Sequence, residues 1–330
     1  MTIAKAKVLR YDRRAPVLAE ALKPGGVLAP LVALRQRDPM LYDLQFRASA
    51  ASSWLSFYVG LTTVLDLKLS GGLLHFAAHK THLARGGVTD VGLPGPLPLA
   101  EFPTVWPAVE SYLSKVVPVP LRHTSREGAV HGALCSGLTD GYRVIDREAA
   151  VSFSDEQHKL EVCDALSKSM WDALDAGPTG QVWWPSGLKI RKNFGTGLDV
   201  LAVDGEGRLL IIEAKPATTA AGIVRAPAQV RFYAHLFALW LVSTEDAPTI
   251  LSGMLEQRQR VGLTPPGPSL ADAPAIVPVV AIGGGWPSER VMDRLRQVDE
   301  AAAHATDSSS NVVDLELWRV GPDGSFVVAP

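Results

Sequence analysis

The first half of the chain alternates apolar and polar residues over short stretches. Four segments within residues 44–77 alternate or run apolar between glycine and serine breakers, which predicts β-strands. A short helix is predicted around 105–116, and extended segments near 117–122 and 142–145. Residues 1–150 are therefore predicted to form a β-rich N-terminal domain.

The second half, residues 151–330, has clearer helical spacing. Ser154 stands before three acidic or amide residues, which is typical of a helix start, and apolar residues then recur at helical spacing as far as Leu174. Pro227 is placed in the first turn of a second helix. The predicted strands are 188–192, 198–203, 209–215, 275–282 and 312–319, and the two later helices are 227–242 and 288–303. This order predicts a mixed α/β fold in which helices pack on a mixed sheet.

Composition limits the classes of function. Hydrophobic residues make up 47% of the chain and charged residues 20%, as in ordinary globular proteins. With 32 Lys and Arg against 34 Asp and Glu, the net charge of −2 argues against a protein that holds DNA by bulk charge, although a local basic groove remains compatible with it. Two cysteines are too few for a disulfide framework or a four-cysteine zinc site, and they indicate a reducing compartment.

No targeting or membrane segment is predicted. The N-terminus is charged and lacks an apolar signal stretch. The longest uncharged run, residues 48–65, is broken by serines, threonines and a glycine, so we interpret it as strands rather than as a membrane helix. A cytoplasmic protein without membrane contact is expected.

The segment Leu-Leu-Ile-Ile-Glu-Ala-Lys at 209–215 has the composition of a buried central strand with a charged end. Four aliphatic residues in succession indicate a strand covered on both faces. Glu213 and Lys215 follow two residues apart and share one face, and Pro216 then stops the strand. Ionised groups at the end of a buried strand cost free energy unless they are paired, solvated or bound to a ligand.

The preceding strand carries Asp199, and a glycine-containing loop at 205–207 joins the two strands. A three-residue hairpin loop favours glycine at its third position, which Gly207 occupies. In that register Asp204 faces Arg208 and Asp199 faces Glu213, with Cβ atoms about 5 Å apart. The sequence therefore predicts two neighbouring carboxylates.

Two adjacent carboxylates repel each other when both are ionised, and a divalent cation between them removes that cost. Oxygen ligands of this kind favour Mg²⁺, which keeps waters that a substrate phosphate can replace. Lys215 beside the cation is placed to orient an attacking water or to stabilise charge on phosphoryl oxygens. This set of groups is suited to phosphodiester hydrolysis.

Asp199 followed by Glu213-Ala-Lys215 after a short glycine hairpin resembles the motif of the PD-(D/E)XK nuclease superfamily. The stretch TGLDVLAVDGEGRLLIIEAK is most similar to the RecB-type and NucS-type members, and Gln229 and Tyr233 match their QxxxY motif. Leu198 stands where the family has its proline. The resemblance covers roughly residues 152–320, and it implies a restriction-endonuclease-like αβββαβ core there.

The resemblance also implies further site residues. A glutamate from the helix before the strands is expected near the metal, and helical spacing favours Glu156 over Glu161 because Glu156 lies on the apolar stripe. The carbonyl of Ala214 would assist Asp199, Glu213 and Glu156 as metal ligands. Residues expected to contact the nucleic acid are Gln229, Tyr233, Lys189, Arg191 and Lys192.

The resulting expectation is a Mg²⁺- or Mn²⁺-dependent nuclease that hydrolyses DNA, in repair, recombination or defence against foreign DNA. The two cysteines argue against the iron–sulfur subgroup of RecB-like exonucleases, whose cluster needs four. Two alternatives stay open: a catalytically degenerate nuclease fold that binds nucleic acid or protein, and a nuclease directed at RNA. The N-terminal domain is expected to supply substrate selection, partner binding or dimerisation.

Overall fold

The computed structural model describes residues 9–49, 51–78, 92–118, 126–137, 140–176, 194–195, 197–305 and 311–329. The helices in these ranges are α1 (Pro16–Leu22), α2 (Ala29–Arg37), α3 (Phe102–Val116), α4 (Arg126–Cys135), α5 (Glu156–Ala176), α6 (Ala220–Ser243), α7 (Ala247–Arg260) and α8 (Glu289–His304). The strands are β1 (Tyr42–Ala48), β2 (Ser53–Val59), β3 (Thr62–Ser70), β4 (Leu73–Ala78), β5 (Leu97–Pro98), β6 (Tyr142–Ala149), β7 (Leu198–Asp204), β8 (Leu209–Pro216), β9 (Ile276–Gly283), β10 (Glu316–Val320) and β11 (Phe326–Val328). The chain is thus mixed α/β, as predicted.

The strands form two sheets. The first is antiparallel, with the order β1-β2-β3-β4-β5. Apolar residues of this sheet and of helices α1, α2 and α3 form one hydrophobic core. The second has six strands in the order β11-β10-β9-β8-β7-β6. In it β8, β9 and β10 run parallel to one another, whereas the remaining pairs are antiparallel.

Helices cover both faces of the second sheet. One face packs against residues of α5, α6, α7 and α8, and the other packs against α4. Because both faces are covered, the residues from Leu209 to Ile212 in β8 are fully buried. The prediction of a central strand covered on both faces is confirmed.

The second sheet takes residues from both sides of residue 150. Strand β6 pairs with β7, and α4 packs on the sheet, although both precede that position. Buried ion pairs between β1 and β6 join the two sheets. Arg47 Nη1 donates to Asp146 Oδ1 at 2.5 Å, and Arg147 Nη1 lies 3.5 Å from Asp43 Oδ2. The division into domains at residue 150 stays a prediction.

Most predicted elements have counterparts at nearby positions. The four N-terminal strands, the helix at 105–116 and the elements from 198 onward are present, with ends shifted by a few residues. The predicted strand 188–192 lies outside the described residues. The neighbour of β7 in the sheet is β6, which precedes α5 in the chain.

Two local predictions were wrong. Pro227 is inside α6 rather than in its first turn, because the alanine-containing segment from Ala220 extends the helix before it. The carboxylate of Asp155, rather than Ser154, accepts the backbone N–H of His158 at 2.7 Å and so caps α5.

Helices long and apolar enough to cross a bilayer do not occur among the described residues.

A buried histidine on α6 makes stability depend on pH. Burial and the nearby positive charge of Arg231 lower the pKa of His235 from 6.5 to about 4. The unfolded imidazole therefore binds a proton at higher pH than the folded one, so stability falls as pH decreases through this window. Between pH 7 and pH 4 we expect a loss of about 3 kcal/mol from this residue.

Urea unfolding of the wild type and of His235→Gln, followed at several pH values between 4 and 7, measures this contribution. The stability advantage of the wild type over the variant is expected to shrink toward acid. An advantage that stays constant with pH would contradict the assignment to His235.

Candidate active site

The hairpin of β7 and β8 has the predicted register. Val200 lies opposite Ile212 and Val203 opposite Leu209, so the next pair outward is Asp199 with Glu213. The turn residue Gly207 has a φ of +77°, in the left-handed region that glycine adopts without strain. Local chain geometry therefore brings the two acidic residues to the same end of the hairpin.

Asp199 is fixed at the start of β7 by contacts to two elements. Its Oδ2 atom accepts the backbone N–H of Ala214 in β8 at 2.8 Å, and it lies 3.4 Å from Nε2 of His131 in α4. Its side chain retains 21% exposure. The carboxylate is therefore held in place and still accessible to a ligand.

Glu213 and Lys215 are hydrogen-bonded to each other. Lys215 Nζ donates to Glu213 Oε1 at 2.6 Å and to Glu127 Oε1 of α4 at 3.0 Å. Glu213 is only 1% exposed, and its Oε2 atom has no hydrogen-bond partner in the described part of the chain. An unpartnered oxygen on a buried acid is a costly arrangement unless a ligand compensates it.

Helix α4 adds two residues to this site. Glu127 and His131 are four positions apart and so share one face of the helix. One ligand atom from each of Glu127, His131 and Asp199 lies within 4.8 Å of the other two. We call these residues, together with Glu213 and Lys215, the acidic cluster.

The pKa values within the acidic cluster diverge. Burial, followed by the negative charge of Asp199, raises the pKa of Glu213 to about 8. Burial also acts to raise the pKa of Asp199, but His131, Lys215 and the Ala214 N–H outweigh it and hold that pKa below its usual value. Burial acts to lower the pKa of Lys215, but the carboxylates of Glu213 and Asp199 raise it on balance. Lys215 is therefore a permanent cation.

The acidic cluster has the composition of a divalent-cation site. Its three carboxyl groups face a single ammonium group, and a bound cation would stabilise the ionised form of Glu213, whose raised pKa otherwise favours the protonated acid at neutral pH. The unpartnered Oε2 atom of Glu213 and a ring nitrogen of His131 are further atoms that could bind a metal ion. Carboxylate oxygens favour Mg²⁺ and Mn²⁺, and imidazole is a ligand of transition ions. The residues present thus fit a divalent cation.

The other two predicted metal ligands are the carbonyl of Ala214 and the carboxylate of Glu156. The N–H and C=O groups of a strand residue point toward the same neighbouring strand, so the Ala214 carbonyl is directed toward β7, as its N–H is. Glu156, in contrast, is exposed in the first turn of α5, where its carboxylate pairs with Lys159 Nζ at 3.1 Å. It is not a member of the acidic cluster.

Gln229 and Tyr233 share one face of α6, as their spacing predicts. Gln229 Nε2 donates to the Tyr233 hydroxyl at 3.3 Å, and that hydroxyl donates to the carbonyl of Phe194 at 2.8 Å. The Tyr233 side chain is buried, and burial together with the negative charges of Glu213 and Asp199 raises the pKa of its hydroxyl group. The Tyr233 hydroxyl thus holds the backbone at Phe194 in place near the acidic cluster. The predicted nucleic-acid contacts Lys189, Arg191 and Lys192 lie outside the described residues.

Sequence reasoning missed Glu127 and His131. Their i, i+4 spacing is visible in the sequence, but the segment around them was not identified as a helix because glycines and alanines weaken its amphipathic pattern. Their relation to Asp199 depends on how α4 packs against β7 and β8.

Comparisons with protein-family models, curated proteins and solved structures found no match for this chain.

Proposed function

We propose that this protein is a divalent-metal-dependent nuclease that hydrolyses DNA phosphodiester bonds. The observation that carries the proposal is the acidic cluster, in which a hairpin and a helix bring three carboxylates, a histidine and a lysine together at the end of a buried strand. A binding module would not need this combination of ionisable groups, of which Glu213 is buried at a cost in folding free energy.

Each residue of the cluster has a role in the proposed reaction. Asp199, Glu127 and His131, with Glu213 beside them, would hold the cation, which supplies Lewis-acid activation of water and of a phosphoryl oxygen. The Ala214 N–H fixes the carboxylate of Asp199. Lys215 carries a permanent positive charge and is placed to orient the nucleophilic water or to stabilise charge on the phosphate.

Membership of the PD-(D/E)XK superfamily is part of the proposal. In its support, β7, β8, α6 and β9 follow in the chain order that the resemblance implies, and Asp199, Glu213 and Lys215 occupy the motif positions. His131 and Glu127 take the place in the ligand set for which the sequence favoured Glu156. Because imidazole is a softer ligand than carboxylate, we expect Mn²⁺ to support cleavage at least as well as Mg²⁺.

A cleavage assay on plasmid, linear and single-stranded DNA tests the proposal. We expect cleavage with Mg²⁺ or Mn²⁺, no cleavage with a chelator, and a loss of about a hundredfold or more in kcat for Lys215→Ala, because a preorganised charge at the reacting phosphate is removed. Purifying Lys215→Ala alongside the wild type excludes a contaminating nuclease.

Other outcomes identify the alternatives. Binding of DNA without cleavage under every metal and substrate would show a degenerate nuclease fold that serves as a binding module. Cleavage of RNA but not DNA, under the same conditions, would show that the protein is a nuclease directed at RNA.

A further inference from the structure

A cavity of about 530 Å³ lies between α4 and the strand ends of the second sheet, the elements that also carry four of the five residues of the acidic cluster. Its floor consists of the carboxyl ends of the parallel strands β8, β9 and β10, where Pro216, Gly283 and Val320 are paired neighbours. Its volume falls within the roughly 300–1,000 Å³ of typical ligand pockets. Lys215 of the acidic cluster immediately precedes Pro216 of the cavity floor, and successive side chains of a strand point to opposite faces, so the cluster and the cavity lie on either side of the end of β8.

Helix α4 forms a wall shared by the two sites. Arg126, Ala129 and Val130 line the cavity, and their spacing places them on one face of the helix. Glu127 and His131 lie on the neighbouring face and belong to the acidic cluster. Arg126 and Val130 of the cavity each precede a residue of the acidic cluster, so a strand that passes along α4 would reach both sites.

The cavity is mainly apolar, and Arg126 is the charged residue among those that are described as lining it. Arg126 is exposed, and it makes neither a hydrogen bond nor an ion pair with the residues that the structure describes. Gly284 has a φ of +87°, and a Cβ atom there would meet open space, so the loop after β9 leaves the cavity accessible. Apolar walls with a single arginine suit a flat, largely apolar ring attached to a phosphate.

We propose that this cavity binds the base and sugar of the nucleotide next to the phosphate held at the acidic cluster, with Arg126 on the phosphate of that nucleotide. The inference rests on the proposed function, since it takes the substrate to be a DNA strand. A nucleoside is bonded directly to its phosphate, so a base site must adjoin the phosphate site, and β8 and α4 meet that requirement because each contributes residues to both sites. The cavity would thus position the strand for cleavage.

Two variants and two matched controls test the proposal. Ala129→Phe fills the cavity from an exposed helical position, and Arg126→Ala removes the cation without disturbing any described contact. Ala165→Phe, at an exposed position of α5, and Arg260→Ala, at the end of α7, make the same chemical changes away from the cavity. Unfolding midpoints verify that all four variants fold.

Calorimetric titration with each of the four deoxynucleoside 5′-monophosphates measures binding, and cleavage of a short oligonucleotide measures KM and kcat. We expect Ala129→Phe and Arg126→Ala each to raise the mononucleotide Kd and the KM about tenfold, with kcat changed little, because ground-state binding is lost. The control variants are expected to match the wild type.

The failure of this inference is distinguishable from failure of the nuclease function. Wild-type cleavage with unchanged KM and mononucleotide binding in both cavity variants would overturn the cavity proposal and leave the nuclease standing. Saturable mononucleotide binding that Ala129→Phe abolishes, in a protein that cleaves no nucleic acid, would support the cavity and overturn the nuclease. A wild type that neither binds mononucleotides nor cleaves would overturn both.

Discussion

Replacing Asp199 with asparagine is expected to lower kcat/KM for metal-dependent DNA cleavage by about a thousandfold or more, which corresponds to about 4 kcal/mol of transition-state stabilisation. The substitution keeps the shape of the side chain and an oxygen that can accept the Ala214 N–H. It removes the negative charge and the anionic ligand that Asp199 contributes beside His131 and Glu127. The expected loss is thus one of cation binding and chemistry rather than of folding.

Calorimetric titration with Mn²⁺ separates these contributions. The wild type is expected to bind the ion, and Asp199→Asn to bind it much more weakly while unfolding at the same urea concentration. Asp272→Asn, at an exposed position in the loop before β9, is the matched control and is expected to leave cleavage and Mn²⁺ binding unchanged. If Asp199→Asn retains cleavage within threefold of the wild type, Asp199 is not a metal ligand of the reaction.

The second large effect concerns stability. Asp146 in β6 is 1% exposed, and its carboxylate accepts hydrogen bonds from the Tyr11 hydroxyl at 2.7 Å, from Arg47 Nη1 at 2.5 Å and from the backbone N–H of Arg147 at 2.8 Å. Asp146→Ala leaves the buried guanidinium of Arg47 without its carboxylate. Breaking a buried pair in this way is expected to lower the free energy of unfolding by about 3–5 kcal/mol.

Urea unfolding measures this loss. Asp140→Ala, which removes a fully exposed carboxylate two residues before β6, is expected to change stability by less than about 0.5 kcal/mol. The double variant Asp146→Leu with Arg47→Met replaces both charges with apolar groups and is expected to be more stable than Asp146→Ala. A loss below about 1 kcal/mol for Asp146→Ala would show that this ion pair does not hold the two sheets together.

Glu156 shows why helical periodicity did not locate every ligand. It lies on the stripe that includes Leu160 and Cys163, and such a stripe is expected to face the sheet. Yet Leu160 is itself 41% exposed, so the stripe becomes buried only farther along α5. Periodicity indicates which residues share a face, but it does not indicate where along the helix the packing begins.

The hairpin at the centre of the site was predictable because its determinants are local. The alternation of residues in β7 and β8, the glycine at position 207 and the short loop fix the register, and the register fixes Asp199 opposite Glu213. Lys215 follows from the same strand. Neighbours in the chain interact through backbone geometry that a sequence reveals directly.

The sequence by itself determined the mixed α/β class, the buried strand β8 and the pairing of Asp199 in β7 with Glu213 in β8 across a tight turn. Only the tertiary structure decided that α4 lies against this hairpin, that Glu127 and His131 join the acidic cluster, and that a cavity opens beside it. The physical reason is that α4 is distant in sequence from β7 and β8. Its position results from the combined packing of many side chains, which no local pattern encodes.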